Sequence, residues 1–128
     1  KEGLIDVIVS DHLPEDEESK RLPFAQAATG AIGVETLLPL SLEMYHNESL
    51  PLNKIIETLT INPSNILKIK KGSLSKGSDG DICIFDLEAP WAVKAEDLKS
   101  KSKNTAIEGR NLQGKVLMTF SNGELVFS

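Results

Sequence analysis

The sequence predicts an α/β chain in two parts, and three observations indicate this. An apolar run over residues 5–9 ends in polar residues, as the buried strands of parallel sheets often do. Apolar side chains then recur at helical spacing over residues 34–67. Short apolar runs and an Asn-Gly pair follow over residues 81–127, a pattern typical of an antiparallel hairpin. We therefore expect residues 1–70 and residues 71–128 to form separate structural units.

The first expected element is a strand at Ile5–Val9. The chemistry of parallel sheets gathers at the C-terminal ends of their strands, so Asp11 is a candidate functional carboxylate. An aspartate in this position is also a common turn former, and the local sequence leaves both interpretations open. His12 should point away from Asp11, and we expect a structural role for it. Nothing before the strand could supply its neighbours, so we expect the chain to be the C-terminal piece of a larger domain.

A loop and three helices should follow. Residues 15–21 are charged without an apolar period, which predicts a solvated loop rather than a cation site. The small residues of Ala27–Gly33 could present backbone N–H groups to an anionic ligand, although packing would also explain them. The helices are predicted to begin near Thr36, near Pro51 and at Asn62, the last with Asn62 as its N-cap. We expect their apolar stripes, together with two aromatic side chains, to form the core: Phe24, Val34, Leu37, Leu38, Leu42, Tyr45, Leu52, Ile55, Ile56, Leu59, Ile66, Leu67 and Trp91.

The second part is predicted to be mainly β. Glycines punctuate residues 72–80 before a strand expected at Asp81–Leu87. Asn122-Gly123 should join two further strands, because both central residues of a two-residue hairpin turn must accept a positive φ. Between these strands only a short helix around Ala95–Leu98 is indicated.

Composition narrows the class of partner. The formal net charge of -5 argues against nucleic acid or an anionic membrane, which leaves small molecules and proteins. The single cysteine, Cys83, excludes an internal disulfide and favours a reducing compartment, and no apolar run is long enough to span a membrane. We expect a cytoplasmic protein. The sequence contains no His-x-His, no cysteine pair and no Gly-rich phosphate loop, so it cannot assemble a complete metal or nucleotide site alone.

Several segments, taken in order, resemble the C-terminal part of a bacterial dihydroorotase of the amidohydrolase superfamily. The resemblance covers nearly the whole chain, although most of its motifs are weak individually. It lies in Ile8-Val9-Ser10-Asp11-His12-Leu13-Pro14, Pro23-Phe24, Gly30 to Leu40, Asn62-Pro63-Ser64-Asn65-Ile66-Leu67, Ser102-Lys103-Asn104-Thr105 and Gln113-Gly114-Lys115-Val116.

This resemblance implies a specific fold. Residues 1–70 would be the C-terminal end of a (β/α)8 metal-dependent hydrolase barrel, contributing its last strand and helices. Residues 71–128 would be part of a small β-sandwich domain attached to that barrel.

The resemblance also implies an activity, the reversible hydrolysis of dihydroorotate to N-carbamoyl-L-aspartate in pyrimidine biosynthesis. Two divalent metal ions, usually zinc, activate water in that family, and most of their ligands come from earlier strands. Asp11 would sit beside the metals and carry the proton from the water to the leaving nitrogen, which accords with the chemistry of a nearby carboxylate. Ala28 and Gly30 fall where the family lends backbone groups to the substrate.

One position departs from the family pattern. Many dihydroorotases have a histidine that helps to hold the substrate carboxylate at the position of Glu15. A glutamate would repel that carboxylate unless it turns outward. We expect a subgroup in which Lys20 or Arg21 compensates at this part of the substrate site, the alternative being altered or absent activity.

The sequence therefore leaves three alternative functions for the parent protein. The parent protein would be a dihydroorotase, another cyclic amidase such as an allantoinase or hydantoinase, or a noncatalytic dihydroorotase-like subunit that scaffolds aspartate transcarbamoylase. Since 128 residues are too few for a whole barrel, the piece alone should be inactive. Its unpaired strand and exposed edges favour a homo-oligomer.

Overall fold

Helices and strands occupy different halves of the chain, in the order that the sequence predicts. The computed structural model describes residues 2–128 and has mixed α and β content. Its elements are α1 (Glu17–Arg21), α2 (Leu37–His46), α3 (Leu52–Leu59), α4 (Ile61–Leu67), β1 (Ile82–Ala92), a 3-10 turn (Ala95–Asp97), β2 (Asn111–Ser121) and β3 (Glu124–Phe127). No helix in the described part of the chain is both long and apolar enough to cross a membrane.

The predicted strand at Ile5–Val9 is not formed as a strand. Residues 2–10 form no strand, and within them the Ile8 N–H donates to the Thr58 carbonyl at 3.2 Å. One isolated parallel bridge follows, between His12 and Ala31. A strand is defined by its hydrogen-bonded neighbours, and none lies beside this segment among the described residues. The apolar pattern is there, but the ladder that would complete it is not.

The expected loop at residues 15–21 contains a short helix instead. Asp16 caps α1, with its Oδ1 accepting from the Ser19 N–H at 2.8 Å. This hydrogen bond lowers the pKa of Asp16 from its ordinary value. The acidic residues lie in the first turn and the basic ones in the last, an order that suits the helix dipole. The loop was predicted because the segment has no apolar period. An N-cap and a favourable order of charges can stabilise a short helix without one.

The longer helices lie close to their predicted positions. Thr36 precedes α2, and Pro39 is buried in the first turn, where its missing N–H costs no intrahelical bond. Pro51 precedes α3 as expected. However, α4 begins at Ile61 rather than after an Asn62 cap, so Pro63 is its third residue. That position also lies in the first turn, so proline marks the start of the helix but not its first residue.

The three strands form one antiparallel sheet in the order β1-β2-β3. Asn122 (φ 50°) and Gly123 (φ 83°) turn the chain between β2 and β3, which confirms the predicted hairpin. Strand β1 extends five residues beyond its expected end at Leu87, and its register with β2 shifts between Asp86 and Pro90. Pro90 pairs with Gln113 where the register resumes, and a residue without an N–H is tolerated there because β1 is an edge strand of the described sheet.

The core joins the two predicted parts. Leu42 of α2 is fully buried against β2, where a Cβ on Gly114 would lie only 2.5 Å from its Cδ1. The Trp91 indole packs beside the core and donates to the Gly114 carbonyl at 3.0 Å. The main cluster of buried side chains consists of Ile32, Val93, Leu98 and Leu112.

Some expected core residues are exposed. The Phe24 side chain is 100% exposed, and Ile66 and Leu67 are 63% and 67% exposed. Val34 is also largely exposed. These side chains were predicted to be buried from their apolar character and spacing. Among residues 2–128 no neighbouring element packs over them, so these predictions were wrong for the chain on its own.

Candidate active site

Asp11 lies in the candidate site on a strained backbone. Its φ of 44° places a non-glycine residue in the left-handed region, which side chains seldom adopt. The residue is exposed, and it lines a cleft of about 600 Å³ together with Gly30, Ala31, Gly33 and Thr36. No ion pair engages its carboxylate within the described residues. The carboxylate is therefore open to a ligand rather than occupied by a structural partner.

His12 holds the two sides of the cleft together. Its Nδ1 accepts from the N–H groups of Gly33 and Val34 at 3.1 and 3.3 Å. An acceptor nitrogen carries no proton, so these bonds require the tautomer with hydrogen on Nε2. This geometry gives His12 the structural role that was expected from the sequence.

The segment from Ala28 to Gly30 packs closely against the residues after Asp11. The Leu13 N–H donates to the Ala31 carbonyl at 3.0 Å. Gly30 has a φ of 116°, and a Cβ there would lie 2.8 Å from both the side chain and the carbonyl oxygen of Leu13. Only glycine combines this conformation with this approach. Of the three predicted substrate-binding residues, Gly30 thus shares the cleft with Asp11.

Lys20 and Asn104 hold the backbone of this segment. The Lys20 Nζ donates to the carbonyls of Ala28 and Gly30 at 2.6 and 2.9 Å, and its side chain is half-buried. The Asn104 Nδ2 donates to the same Gly30 carbonyl at 3.1 Å. The sequence suggested Lys20 only as compensation for Glu15, and Asn104 only as part of a family motif. Neither residue type signals a backbone contact in advance, so these roles could be found only in three dimensions.

Glu15 lies at the side of the site and does not line the cleft. Its backbone carbonyl accepts from the Ser102 hydroxyl at 2.5 Å, which attaches the loop to the second part of the chain. Of the two cations suggested to compensate for it, Arg21 is exposed and paired with Glu17. Lys20 alone of the two contacts the Ala28–Gly30 segment.

The described residues do not make up a zinc site. Catalytic zinc commonly takes three protein ligands, drawn from histidine, cysteine and carboxylates. Within residues 2–128 no three such side chains come close enough to hold a metal ion. Asp11 is an exposed carboxylate that could serve as one ligand, and the remaining ligands would have to come from elsewhere.

Comparison with known proteins identifies relatives over the whole chain. The dihydroorotase of Ehrlichia chaffeensis is 42% identical over 127 residues, which are 99% of this chain and 28% of that protein. The dihydroorotase of Aquifex aeolicus is 41% identical over 127 residues, covering 99% of this chain and 30% of that protein. The chain thus spans less than a third of the length of these relatives.

A solved structure agrees with these sequence relatives. The L-hydantoinase (dihydropyrimidinase) from Arthrobacter aurescens has a TM-score of 0.90 and 32% sequence identity, over 98% of this chain and 29% of that one. Residues 1–126 also match the sequence pattern of the amidohydrolase family. The chain therefore belongs to the amidohydrolase family.

Proposed function

We propose that this chain is the C-terminal part of a dihydroorotase, which reversibly hydrolyses dihydroorotate to N-carbamoyl-L-aspartate in pyrimidine biosynthesis. The observation that carries the proposal is the placement of Asp11, open and strained, in one cleft with Gly30. The similarity to the two dihydroorotases supports the choice of substrate. In this proposal residues 1–70 complete a (β/α)8 barrel, and residues 71–128 belong to a β-sandwich.

Asp11 carries the proton in the proposed reaction. An attacking water must lose a proton, and the ring nitrogen must gain one when the amide bond breaks. A carboxylate oxygen of Asp11 takes the first proton and delivers the second. The absence of an ion pair in the described chain leaves this carboxylate available for both steps.

A pair of divalent ions, which the family resemblance implies to be zinc, would lower the pKa of the attacking water when bound. This chain would offer Asp11 to such a pair, with the other ligands lying outside its 128 residues.

The substrate would lie against the segment from Ala28 to Gly30. Its carboxylate needs hydrogen-bond donors or positive charge, which Glu15 cannot supply. In this proposal the backbone of this segment, held by Lys20, supplies the donors, so activity is retained with Glu15 in place.

A second candidate is another cyclic amidase. The similarity to an L-hydantoinase structure supports it, because hydantoins and dihydroorotate share a cyclic amide. The third possibility, a noncatalytic subunit that scaffolds aspartate transcarbamoylase, would leave Asp11 without a function. We place the parent in the cytoplasm as a homo-oligomer, on the basis of the single cysteine of this chain, Cys83, and the exposed apolar residues of its strands.

The test is Asp11→Asn in the full-length parent. We expect kcat for dihydroorotate to fall by about 100- to 10,000-fold, because a neutral amide cannot carry the proton. Asp6→Asn is the matched control, since Asp6 is an exposed aspartate in the same N-terminal segment and does not line the cleft. Asp6→Asn should leave kcat unchanged.

Three results would contradict the proposal. Equal kcat values for Asp11→Asn and wild type would remove Asp11 from the mechanism. A wild-type parent that turns over hydantoin but not dihydroorotate would replace the first candidate with the second, and inactivity towards both would favour the scaffold.

A further inference from the structure

The Lys20 ammonium group donates to backbone carbonyls rather than to a carboxylate. Its ammonium group lies 2.6 Å from the Ala28 oxygen and 2.9 Å from the Gly30 oxygen, and no ion pair involves it within the described residues. Hydrogen bonds from an ionised donor are roughly twice as strong as those between neutral groups. Half-burial of the side chain adds to the cost of losing these partners. Loss of the hydrogen bonds between Lys20 and this segment is therefore costly in free energy.

The Gly30 carbonyl receives a second donor from a distant part of the chain. The Asn104 side-chain Nδ2 donates to it at 3.1 Å, and the Asn104 backbone carbonyl in turn accepts from the Ile32 N–H at 3.2 Å. The Gly30 carbonyl oxygen thus accepts from Lys20, ten positions before it in the sequence, and from Asn104, seventy-four positions after it.

This double attachment fixes the direction of a flexible backbone. Glycine at φ 116° has no side chain to restrict its rotation, so the carbonyl needs external partners to keep one orientation. A peptide unit is planar, so fixing a carbonyl also fixes the N–H on the opposite side of the same bond. Lys20 and Asn104 therefore set the orientation of the peptide units that follow Ala28 and Gly30, whose N–H groups belong to Thr29 and Ala31.

We propose that Lys20 and Asn104 are positioning residues that hold the Ala28–Gly30 backbone in its substrate-binding orientation. The inference rests on the proposed function, in which this segment contacts a cyclic amide. It assigns the two residues an effect on substrate binding that acts through the Gly30 carbonyl, without contact between either side chain and the substrate.

The experiment compares variants of the full-length parent with dihydroorotate as substrate. Lys20→Met keeps the length of the side chain and removes the donors, and kcat/KM should fall by up to about 100-fold, mainly through KM. Lys20→Arg retains donors for both carbonyls and should recover most of the loss. Arg21→Met is the matched control, because its exposed pairing with Glu17 contributes little, and it should leave both constants unchanged.

A double-mutant cycle distinguishes positioning from a general structural role. Lys20→Met and Asn104→Ala act on the same carbonyl, so their combined effect on kcat/KM should be smaller than the product of the two separate effects. Separate effects that multiply would overturn the proposal, as would a lower melting temperature with unchanged KM. If Lys20→Met does not fold, Lys20→Gln, which keeps a polar side chain without the charge, and Asn104→Ala form the cycle.

Ionic strength separates this proposal from direct binding of the substrate carboxylate by Lys20. A direct contact between opposite charges at an open cleft is screened by salt, so the difference in KM between wild type and Lys20→Met would shrink as salt is added. That result would overturn the positioning role, which predicts a difference in KM that salt does not change.

If the wild-type parent hydrolyses a different cyclic amide, the proposed function fails, and the same variants are compared on that amide.

Discussion

Gly30→Ala offers a direct test of the close approach on which the cleft depends. An added Cβ would lie 2.8 Å from the Leu13 side chain and 2.8 Å from its carbonyl oxygen. The Leu13 side chain is 46% exposed and can turn aside. The carbonyl belongs to the backbone and can move only if the segment after Asp11 moves with it. The substitution should therefore separate the two sides of the cleft.

Two costs contribute to the expected loss of stability. A side chain at φ 116° costs about 1–3 kcal/mol in backbone strain. Forcing the extra methyl group into the contact costs about 1–3 kcal/mol more. Gly77→Ala is the matched control, because Gly77 has a φ of 90° and no heavy atom within 4 Å of the added Cβ. It should show the strain without the steric contact.

Urea denaturation and steady-state kinetics of the full-length parent provide the measurement. We expect Gly30→Ala to lower the free energy of unfolding by about 2–6 kcal/mol in total and kcat/KM by up to about 100-fold. Gly77→Ala should lose only the strain contribution and should retain its kinetic constants. Equal losses of stability in the two variants, with kcat/KM intact in both, would refute the close approach between Gly30 and Leu13.

Two further predictions concern stability. Gly114→Ala would place a Cβ 2.5 Å from Cδ1 of the fully buried Leu42. Backbone strain and overpacking should together lower the free energy of unfolding by about 2–6 kcal/mol. A loss of stability no larger than that of Gly77→Ala would contradict this packing. The second concerns pH: the hydrogen bond from Lys71 lowers the pKa of Asp81, so the stability that Asp81 contributes is present above its unfolded-state pKa and is lost as pH falls through the lowered value. Asp81→Asn should flatten the dependence of unfolding free energy on pH between about pH 5 and pH 2, and an unchanged slope would show that the ion pair is not maintained in solution.

Local sequence signals predicted much of the fold. The start predicted near Thr36 is confirmed, since Pro39 then lies in the first turn, where its missing N–H breaks no intrahelical bond, and Pro51 marks the start of the next helix. Asn122-Gly123 located the hairpin, because few other pairs accept two positive φ angles. Each of these signals depends on a few adjacent residues, and the surrounding structure does not change their meaning.

Signals that depend on distant partners were less reliable. The apolar run before Asp11 indicated a strand, but a strand requires neighbours that the described chain does not provide. Phe24 was expected in the core for its apolar character, yet nothing within residues 2–128 covers it. In the site, Asp11 could be singled out because it ends an apolar run. The contacts of Lys20 and Asn104 join residues far apart in sequence, and no local pattern encodes them.

The hydrogen bonds that Ser102 and Asn104 make to Glu15 and Gly30 have a consequence for how such proteins diverge. Residues 71–128 help to hold the cleft, because two of their side chains reach the segment between Glu15 and Gly30. Substitutions in that segment and in residues 71–128 are therefore under a shared constraint. Exchange of residues 71–128 between relatives would transfer part of the support of the Gly30 backbone along with them.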